Sequence, residues 1–144
     1  MLRCVGANNG LYSTDPLTMW KIDSTLDALN DLLSAYYSAA FNPNEDAKKA
    51  GLEKFYNTTL PFFCEVMEKR VKANTCPKHL VGDKMTIADI AMFGVAFSRF
   101  LNENNPNRGT ELAIVEKYPA YFEYCKHLGE EFKEYLATRK PSAW

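Results

Sequence analysis

Three aspartates, Asp23, Asp27 and Asp31, recur at intervals of four residues in the first half of the chain. Side chains four residues apart lie on one face of an α-helix, so this spacing predicts a row of three carboxylates. Like charges at that separation repel each other by about 0.2–0.5 kcal/mol per pair, and a cationic partner would relieve the repulsion. The alternative is a solvated helix face, stabilised by Lys21 and by the nearby amino end of the helix.

Two Cys/His pairs, Cys76 with His79 and Cys125 with His127, contain the two thiols and two imidazoles that tetrahedral zinc uses. Their spacing is not that of a zinc finger, and the sequence contains no C-x-x-C pair, so we expect no metal site. Cys64 lies in an apolar segment and is expected to be a buried thiol.

Activation of a thiol requires a hydrogen-bond donor, a cation or a helix amino terminus directed at the sulfur, because each of these lowers the thiol pKa. No group of residues in the sequence marks such an arrangement. Tyr12 could be proposed as the donor, but it precedes the first long helix and is expected to pack there. We therefore predict that this chain contains no catalytic residue for thiol chemistry.

The elements that position these residues are predicted to be helices only. Apolar residues recur at steps of three and four, and β-branched alternation is almost absent, so we predict an all-α helical bundle. The predicted helices cover residues 15–41, 45–72, 86–101, 112–117, 120–128 and 131–137. Asp15 and Pro16 are the expected N-cap and first residue of the first long helix, and Pro61 predicts a kink in the second. The expected apolar stripe of the first long helix is Ile22, Leu26, Leu29, Leu33 and Tyr37.

A capping box is predicted where Thr86 precedes Asp89 by three residues. In such a box the Thr86 hydroxyl accepts from the amide of residue 89, while the Asp89 carboxylate accepts from the Thr86 amide. Met85 and Ile90 flank the box at the positions of a hydrophobic staple. The helix that follows is apolar nearly all round, which predicts a place at the centre of the bundle.

Composition excludes several classes of function. The 144 residues suffice for one domain with its own core, and a net charge of -1 provides no basic excess for binding nucleic acid. The longest apolar run, residues 90–97, is too short for membrane insertion. No secretory signal is recognisable, and the four cysteines are scattered, so we predict a cytoplasmic protein.

The chain resembles the carboxyl-terminal domain of the glutathione transferase family. Residues 79–89 (HLVGDKMTIAD) resemble the loop and central helix of that domain, and residues 118–120 (YPA) and 135–141 (YLATRKP) resemble its last helices and tail. Ile22 and Asp23, followed by Asp27, resemble the first helix of the sigma, pi and alpha-like classes. The resemblance implies that residues 14–144 form this helical domain. It also implies that residues 1–13 are a remnant of the last thioredoxin-like helix and a linker.

The resemblance also implies roles for individual residues. Asp27 matches a position that reaches across a dimer interface to the glutathione amino group of the other subunit. Tyr37 matches a tyrosine that faces the electrophile pocket, and Trp20 is expected at that pocket or at a dimer contact. The thioredoxin-like domain supplies the activating Tyr, Ser or Cys of the family, and that domain is missing from the sequence. No cofactor is implied, and glutathione is a substrate only if a full-length enzyme exists.

Two functions remain open at this point. The first is a helical domain that acts alone as a non-catalytic interaction or scaffold module, including as a subunit of a larger assembly. The second is the carboxyl-terminal part of an active glutathione transferase that conjugates glutathione to electrophiles. Both predict a protein partner or a homodimer, because loss of a neighbouring domain exposes an interface of roughly 600–1,500 Å².

Overall fold

The computed structural model describes residues 1–142, which contain eight α-helices, one π-helical turn and no β-strand. The predicted all-α fold is confirmed. Residues 143 and 144, the last two of the predicted domain, lie outside the described residues. The elements are α1 (Leu2–Asn8), α2 (Pro16–Ala40), α3 (Glu45–Lys54), the π-turn (Phe55–Thr59), α4 (Leu60–Ala73), α5 (Ile87–Ser98), α6 (Arg108–Val115), α7 (Pro119–Glu131) and α8 (Lys133–Thr138).

The start of α2 is the one predicted from the sequence. The Asp15 carboxylate accepts a hydrogen bond from the Thr18 amide at 2.8 Å, and Pro16 is the first helical residue. Proline is tolerated there because the first turn of a helix has no intrahelical acceptor for its amides. This cap sets the register of the whole helix and therefore the direction in which its aspartates point.

The buried face of α2 differs from the predicted stripe. The buried residues are Ile22, Thr25, Leu29, Leu32, Tyr36 and Ala39. Leu26 and Leu33 are half-buried and pack against the core, whereas Tyr37 is exposed, so the prediction was wrong at Tyr37. Both sets follow the same helical period, and the buried face is decided by packing of α2 against α3 and α5, which the period alone cannot reveal.

The second helical stretch is interrupted one turn earlier than predicted. The π-turn (Phe55–Thr59) separates α3 from α4, and Pro61 lies in the first turn of α4. Proline cannot donate to the carbonyl four residues before it, so the irregular turn falls on the amino-terminal side of Pro61. Phe55 is buried at this junction and anchors it to the core.

The central position predicted for α5 is present in the structure. This helix packs against α1, α2 and α7, and its buried residues are Ile87, Ala88, Asp89, Met92, Phe93, Val95 and Ala96. Tyr121, Tyr124 and Leu128 of α7 are also fully buried. In the described part of the chain, no helix is both long enough and apolar enough to span a membrane.

The short helix α1 is attached to the amino end of α5. The Ile87 amide donates to the Leu11 carbonyl at 2.9 Å, and Gly6 faces the Ile87 side chain so closely that a Cβ atom would collide with it. Gly6 is buried, whereas Leu2 and Val5 of the same helix are exposed. One face of α1 is therefore fixed to the bundle and the other presents apolar side chains.

Candidate functional site

Asp89 is the most connected carboxylate of the bundle and is fully buried. Its Oδ2 accepts from the Thr86 amide at 2.8 Å and from the Thr86 hydroxyl at 3.1 Å, and the Ala88 amide donates to Thr86 Oγ1 at 3.2 Å. Its Oδ1 accepts from the Leu80 amide at 2.9 Å and from the Tyr124 hydroxyl at 2.8 Å. The capping box therefore also connects the loop before α5 and helix α7. Its role is to build the scaffold that positions the site.

The staple positions beside the box have intermediate exposure. Met85 and Ile90 are both half-buried at the start of α5. A hydrophobic staple at these positions fixes the angle at which the chain enters the helix.

The row of aspartates on α2 receives its cation from α1. Arg3 Nε lies 2.7 Å from Asp23 Oδ1, and Arg3 Nη2 lies 3.7 Å from Asp27 Oδ1. The Tyr12 hydroxyl donates to Asp23 Oδ2 at 2.9 Å. Burial would raise the pKa of Asp23, but the hydrogen bonds from Arg3 and Tyr12 and the charge of Arg3 hold it below its usual value. The Asp27 side chain is 76% exposed, and Asp31 is also exposed, so Asp27 can still meet a ligand.

The Tyr12 hydroxyl is bound within the cluster that it forms with Arg3 and Asp23. Desolvation raises the pKa of its hydroxyl, and the hydrogen bond to the Asp23 carboxylate raises it further. A phenol that already donates its only proton to a carboxylate has none left to donate to a thiolate. Tyr12 therefore acts in the structure as part of the link between α1 and α2.

Tyr37 and Trp20 lie in different regions of the molecule. They are seventeen positions apart on α2, so about 25 Å of helix separates them. Tyr37 is 41% exposed and stacks on Phe41, with ring centroids 5.9 Å apart. Trp20 is 64% exposed and lines a separate cleft with Lys21 and Arg70. The structure does not bring the two aromatic residues together.

The buried cysteines have unreactive thiols. Burial raises the pKa of Cys64 to about 12 and raises that of Cys125 further still. Only the thiolate is an effective nucleophile, so neither sulfur attacks an electrophile at neutral pH. Cys4 is exposed and Cys76 has intermediate exposure.

The two Cys/His pairs lie in different environments. Cys125 is fully buried in α7, whereas Cys76 lies in the loop that follows α4. His127 Nε2 lies 3.5 Å from Glu131 Oε1, one turn further along its own helix. Across residues 1–142, no three His, Cys, Asp or Glu side chains are grouped closely enough to hold a metal ion.

A buried ion pair at the end of α5 was missed by the sequence analysis. Arg99 contacts Glu111 through Nε at 3.2 Å and through Nη2, and its guanidinium lies 3.4 Å from the centroid of the Tyr36 ring. Asn105 donates to Glu111 Oε2 at 3.2 Å. A single arginine at the end of an apolar helix was the available signal, but its partner is contributed by another element.

Comparison with known proteins identifies the family. The family described as "Glutathione S-transferase, C-terminal domain" matches residues 30–139. Glutathione S-transferase S1 of Drosophila melanogaster is 27% identical over 120 residues, which are 83% of this chain and 45% of that protein. A glutathione S-transferase of Anopheles gambiae is 25% identical over 142 residues, which are 96% of this chain and 65% of that protein.

A solved structure shares the fold. The prostaglandin synthase D of Nilaparvata lugens superimposes with a TM-score of 0.78 at 20% identity, covering 96% of this chain and 66% of that one. The chain thus spans between about half and two thirds of the length of the relatives it matches. Because the family match covers well over half of the sequence, this chain belongs to the glutathione S-transferase family through its C-terminal helical domain.

Proposed function

We propose that this chain is the helical half of a glutathione S-transferase, and that it conjugates glutathione to electrophiles only together with a thioredoxin-like domain. The observation that carries the proposal is an open cleft of about 530 Å³ between α1, α2 and α5, with Asp27 on its rim. Its walls include the apolar side chains of Leu26, Leu33 and Val95, and Arg3, which is paired with Asp23, also lines it. An exposed carboxylate beside partly apolar walls suits a ligand that carries an ammonium group on a less polar body.

Asp27 is the residue proposed to contact glutathione, in trans across a dimer interface. Its Oδ1 lies 3.7 Å from Arg3 Nη2, longer than a hydrogen bond, and its side chain is mostly exposed. Asp23 is instead held by shorter contacts with Arg3 and Tyr12. Of these two carboxylates, Asp27 is the one that can bind the ammonium group of a ligand, in addition to the Arg3 guanidinium, at low desolvation cost.

Tyr37 is the residue proposed to face the electrophile. Its ring stacks on the exposed Phe41, so two aromatic faces near the end of α2 are available to an apolar substrate. Trp20, about 25 Å away along the helix, cannot line the same small-molecule pocket. The proposed electrophile pocket therefore includes Tyr37 without Trp20.

The thiol-activating group is proposed to come from outside this chain. Tyr12 donates its proton to Asp23, and burial raises the pKa of Cys64 and of Cys125. This chain on its own is accordingly expected to be inactive, and glutathione is expected to act as a substrate without any cofactor. The four free cysteines support a reducing compartment, and we place the protein in the cytoplasm.

The experiment compares the isolated chain with a chimera that joins the thioredoxin-like domain of a sigma-class glutathione S-transferase to its amino terminus. We expect no turnover of a model electrophile by the isolated chain and measurable turnover by the chimera. In the chimera, Asp27→Asn should raise the KM for glutathione severalfold, whereas Asp46→Asn, an exposed control on α3, should not. A folded chimera without turnover would count against the proposal.

A second candidate function is a non-catalytic interaction module, and a specific observation on α1 favours it. Leu2 and Val5 are 40% and 52% exposed on a helix of only seven residues. Such side chains form an apolar patch that a partner protein or a second copy would cover. Sedimentation equilibrium of the isolated chain tests this. We expect self-association that is weakened by Val5→Lys, whereas a strict monomer at high concentration would contradict homodimerisation.

A further inference from the structure

The segment that follows α1 contains an asparagine–glycine pair, Asn9 and Gly10. Asn9 is the only asparagine of the sequence that a glycine follows. Both residues are exposed. Gly10 has a φ of 70°, and apart from its chain neighbours no heavy atom of residues 1–142 lies within 4 Å of the point where a Cβ atom would stand. The peptide bond after Asn9 is therefore open to water and free of steric hindrance.

This pair has the connectivity for an intramolecular reaction. The backbone nitrogen of Gly10, after losing its proton to water or hydroxide, can attack Cγ of the Asn9 side chain. The attack closes a five-membered succinimide ring, and the amide nitrogen of Asn9 leaves as ammonia. Adjacent reacting groups favour such a step, and glycine has no Cβ atom to obstruct it.

Hydrolysis of the ring completes the reaction and needs only water. Opening at the side-chain carbonyl gives isoaspartate or aspartate according to which of the two C–N bonds of the ring breaks. In aspartate the main chain is restored, whereas in isoaspartate it runs through Cβ and Cγ of residue 9. Either product has a carboxylate where Asn9 had an amide.

The contacts at the end of α1 hold the two reacting groups unequally. The Gly10 amide donates to the Ala7 carbonyl at 3.5 Å, which is longer than a typical N–H···O bond. The Asn9 side chain is held more firmly, because its Nδ2 donates to the Val5 carbonyl at 2.8 Å. A helix of only seven residues opens readily at its ends, so this second contact slows the reaction without preventing it.

Conversion of Asn9 to a carboxylate would weaken α1. The donor to the Val5 carbonyl is lost, and a negative charge is placed at the carboxyl end of the helix, where the helix dipole is also negative. Isoaspartate in addition lengthens the main chain by one carbon shortly before Leu11. The Leu11 carbonyl accepts from the Ile87 amide at 2.9 Å, so the change acts directly on the contact that docks α1 on α5.

We propose that Asn9 is a site of spontaneous deamidation, and that the product loosens α1 from the helical bundle. Because α1 also carries Arg3, its release removes the cation that contacts Asp23 and Asp27. The modification thus alters the charge of the aspartate row on α2. The proposal is independent of the transferase function, because neither the reaction nor the docking of α1 involves glutathione.

The first test is peptide mapping by mass spectrometry of the full chain after prolonged incubation at mildly alkaline pH. We expect the peptide that contains Asn9 to gain the mass difference between OH and NH2, and to separate into aspartate and isoaspartate forms. In water enriched in oxygen-18, the product should carry one heavy oxygen atom. Asn9→Gln retains an amide donor but would require a less favourable six-membered ring, so it should not react. Asn57, exposed and followed by threonine, is the internal control and should remain an amide.

The second test measures the docking of α1 by hydrogen exchange. The Ile87 amide should exchange severalfold faster in the aged chain and in freshly prepared Asn9→Asp, and at the unmodified rate in Asn9→Gln. Circular dichroism checks that each sample is folded. An Asn9 that stays an amide in the folded chain, or that reacts no faster than Asn57, would refute the modification site. Deamidation at Asn9 with unchanged exchange at Ile87 would refute its effect on α1.

Discussion

The hydroxyl of Tyr124 donates a 2.8 Å hydrogen bond to Asp89, which fastens α7 to the first turn of α5. Both residues are buried, and the second oxygen of the same carboxylate accepts from the Thr86 amide. The Leu80 amide donates to Asp89 as well. One side chain thus accepts hydrogen bonds from a helix start, a loop and a distant helix, and the bonds from the Leu80 amide and the Tyr124 hydroxyl are buried.

Asp89→Ala is expected to destabilise the protein by about 3 kcal/mol or more, because it leaves several buried donors without an acceptor. The sequence alone supported a smaller loss of about 1–3 kcal/mol, the cost for one buried group left unpaired. Tyr124→Phe should cost about 1 kcal/mol, since it removes a single hydrogen bond. Urea denaturation measures both, with Asp83→Ala in the exposed loop as the matched control. A loss near zero for Asp89→Ala would mean that the box is exposed to solvent.

Glu68 makes the stability of the bundle depend on pH in acid. Burial alone would raise the pKa of Glu68, but hydrogen bonds from Lys72 and from the Tyr121 amide hold it below its usual value of 4.5. The ionised form of Glu68 therefore stabilises the fold above about pH 4.5. This contribution is lost as the pH falls through the lower pKa that Glu68 has in the folded state.

Glu68→Gln keeps an oxygen acceptor for the Tyr121 amide but removes the charge. Urea titrations at several pH values should show the wild type more stable by about 1 kcal/mol at neutral pH, with a difference that shrinks in acid. Glu65→Gln, an exposed neighbour paired with Lys69, should show almost no difference at any pH. A difference for Glu68→Gln that stays constant down to acidic pH would contradict the assignment.

The thiols should fall into two classes of reactivity. A disulfide reagent such as Ellman's should modify Cys4 and Cys76 in the native protein, while Cys64 and Cys125 react only after unfolding, because burial disfavours their thiolates. Serine at both Cys4 and Cys76 should abolish the native reaction. Rapid native labelling of Cys64, located by mass spectrometry, would show that the core opens readily.

Gly6→Ala tests how α1 is docked. An added Cβ would collide with Ile87 Cγ2, so α1 must move away from α5 and weaken the hydrogen bond from the Ile87 amide to the Leu11 carbonyl. We expect a loss of about 1–3 kcal/mol, as for other overpacked contacts. We also expect faster hydrogen exchange at the Ile87 amide.

Gly109→Ala is the control for that substitution. Gly109 lies in α6 with open space around its Cα, so alanine there should be neutral or stabilising by up to about 1 kcal/mol. If both alanine variants behave alike, the close contact between Gly6 and Ile87 has no energetic role.

The contacts that the sequence could predict are those between residues close together in the chain. Asp15 with Pro16, and Thr86 with Asp89, lie three residues or fewer apart, so capping chemistry identifies them without a structure. The cation for Asp23 could not be predicted, because Arg3 lies twenty residues earlier and reaches it only when α1 docks on the bundle. Such pairs form only through tertiary packing, so no regular spacing of residues in the sequence indicates them.

A local sequence pattern also could not show which face of a long helix is buried. Tyr36 and Tyr37 fit the helical period of α2 about equally well, but Tyr36 is buried against Phe55 and Tyr37 is exposed. Which of the two tyrosines is buried depends on where the π-turn places Phe55, and the sequence of α2 does not indicate that position.

The most direct test of the transferase assignment is the thiol pKa of glutathione in the presence of the protein. Thiolate absorbance can be followed through a pH titration with the isolated chain and with the chimera that carries a thioredoxin-like domain. We expect the isolated chain to leave the thiol near its solution value of about 8.5, and the chimera to lower it. A lowered thiol pKa with the isolated chain alone would contradict the account, because it would place thiol activation within these residues.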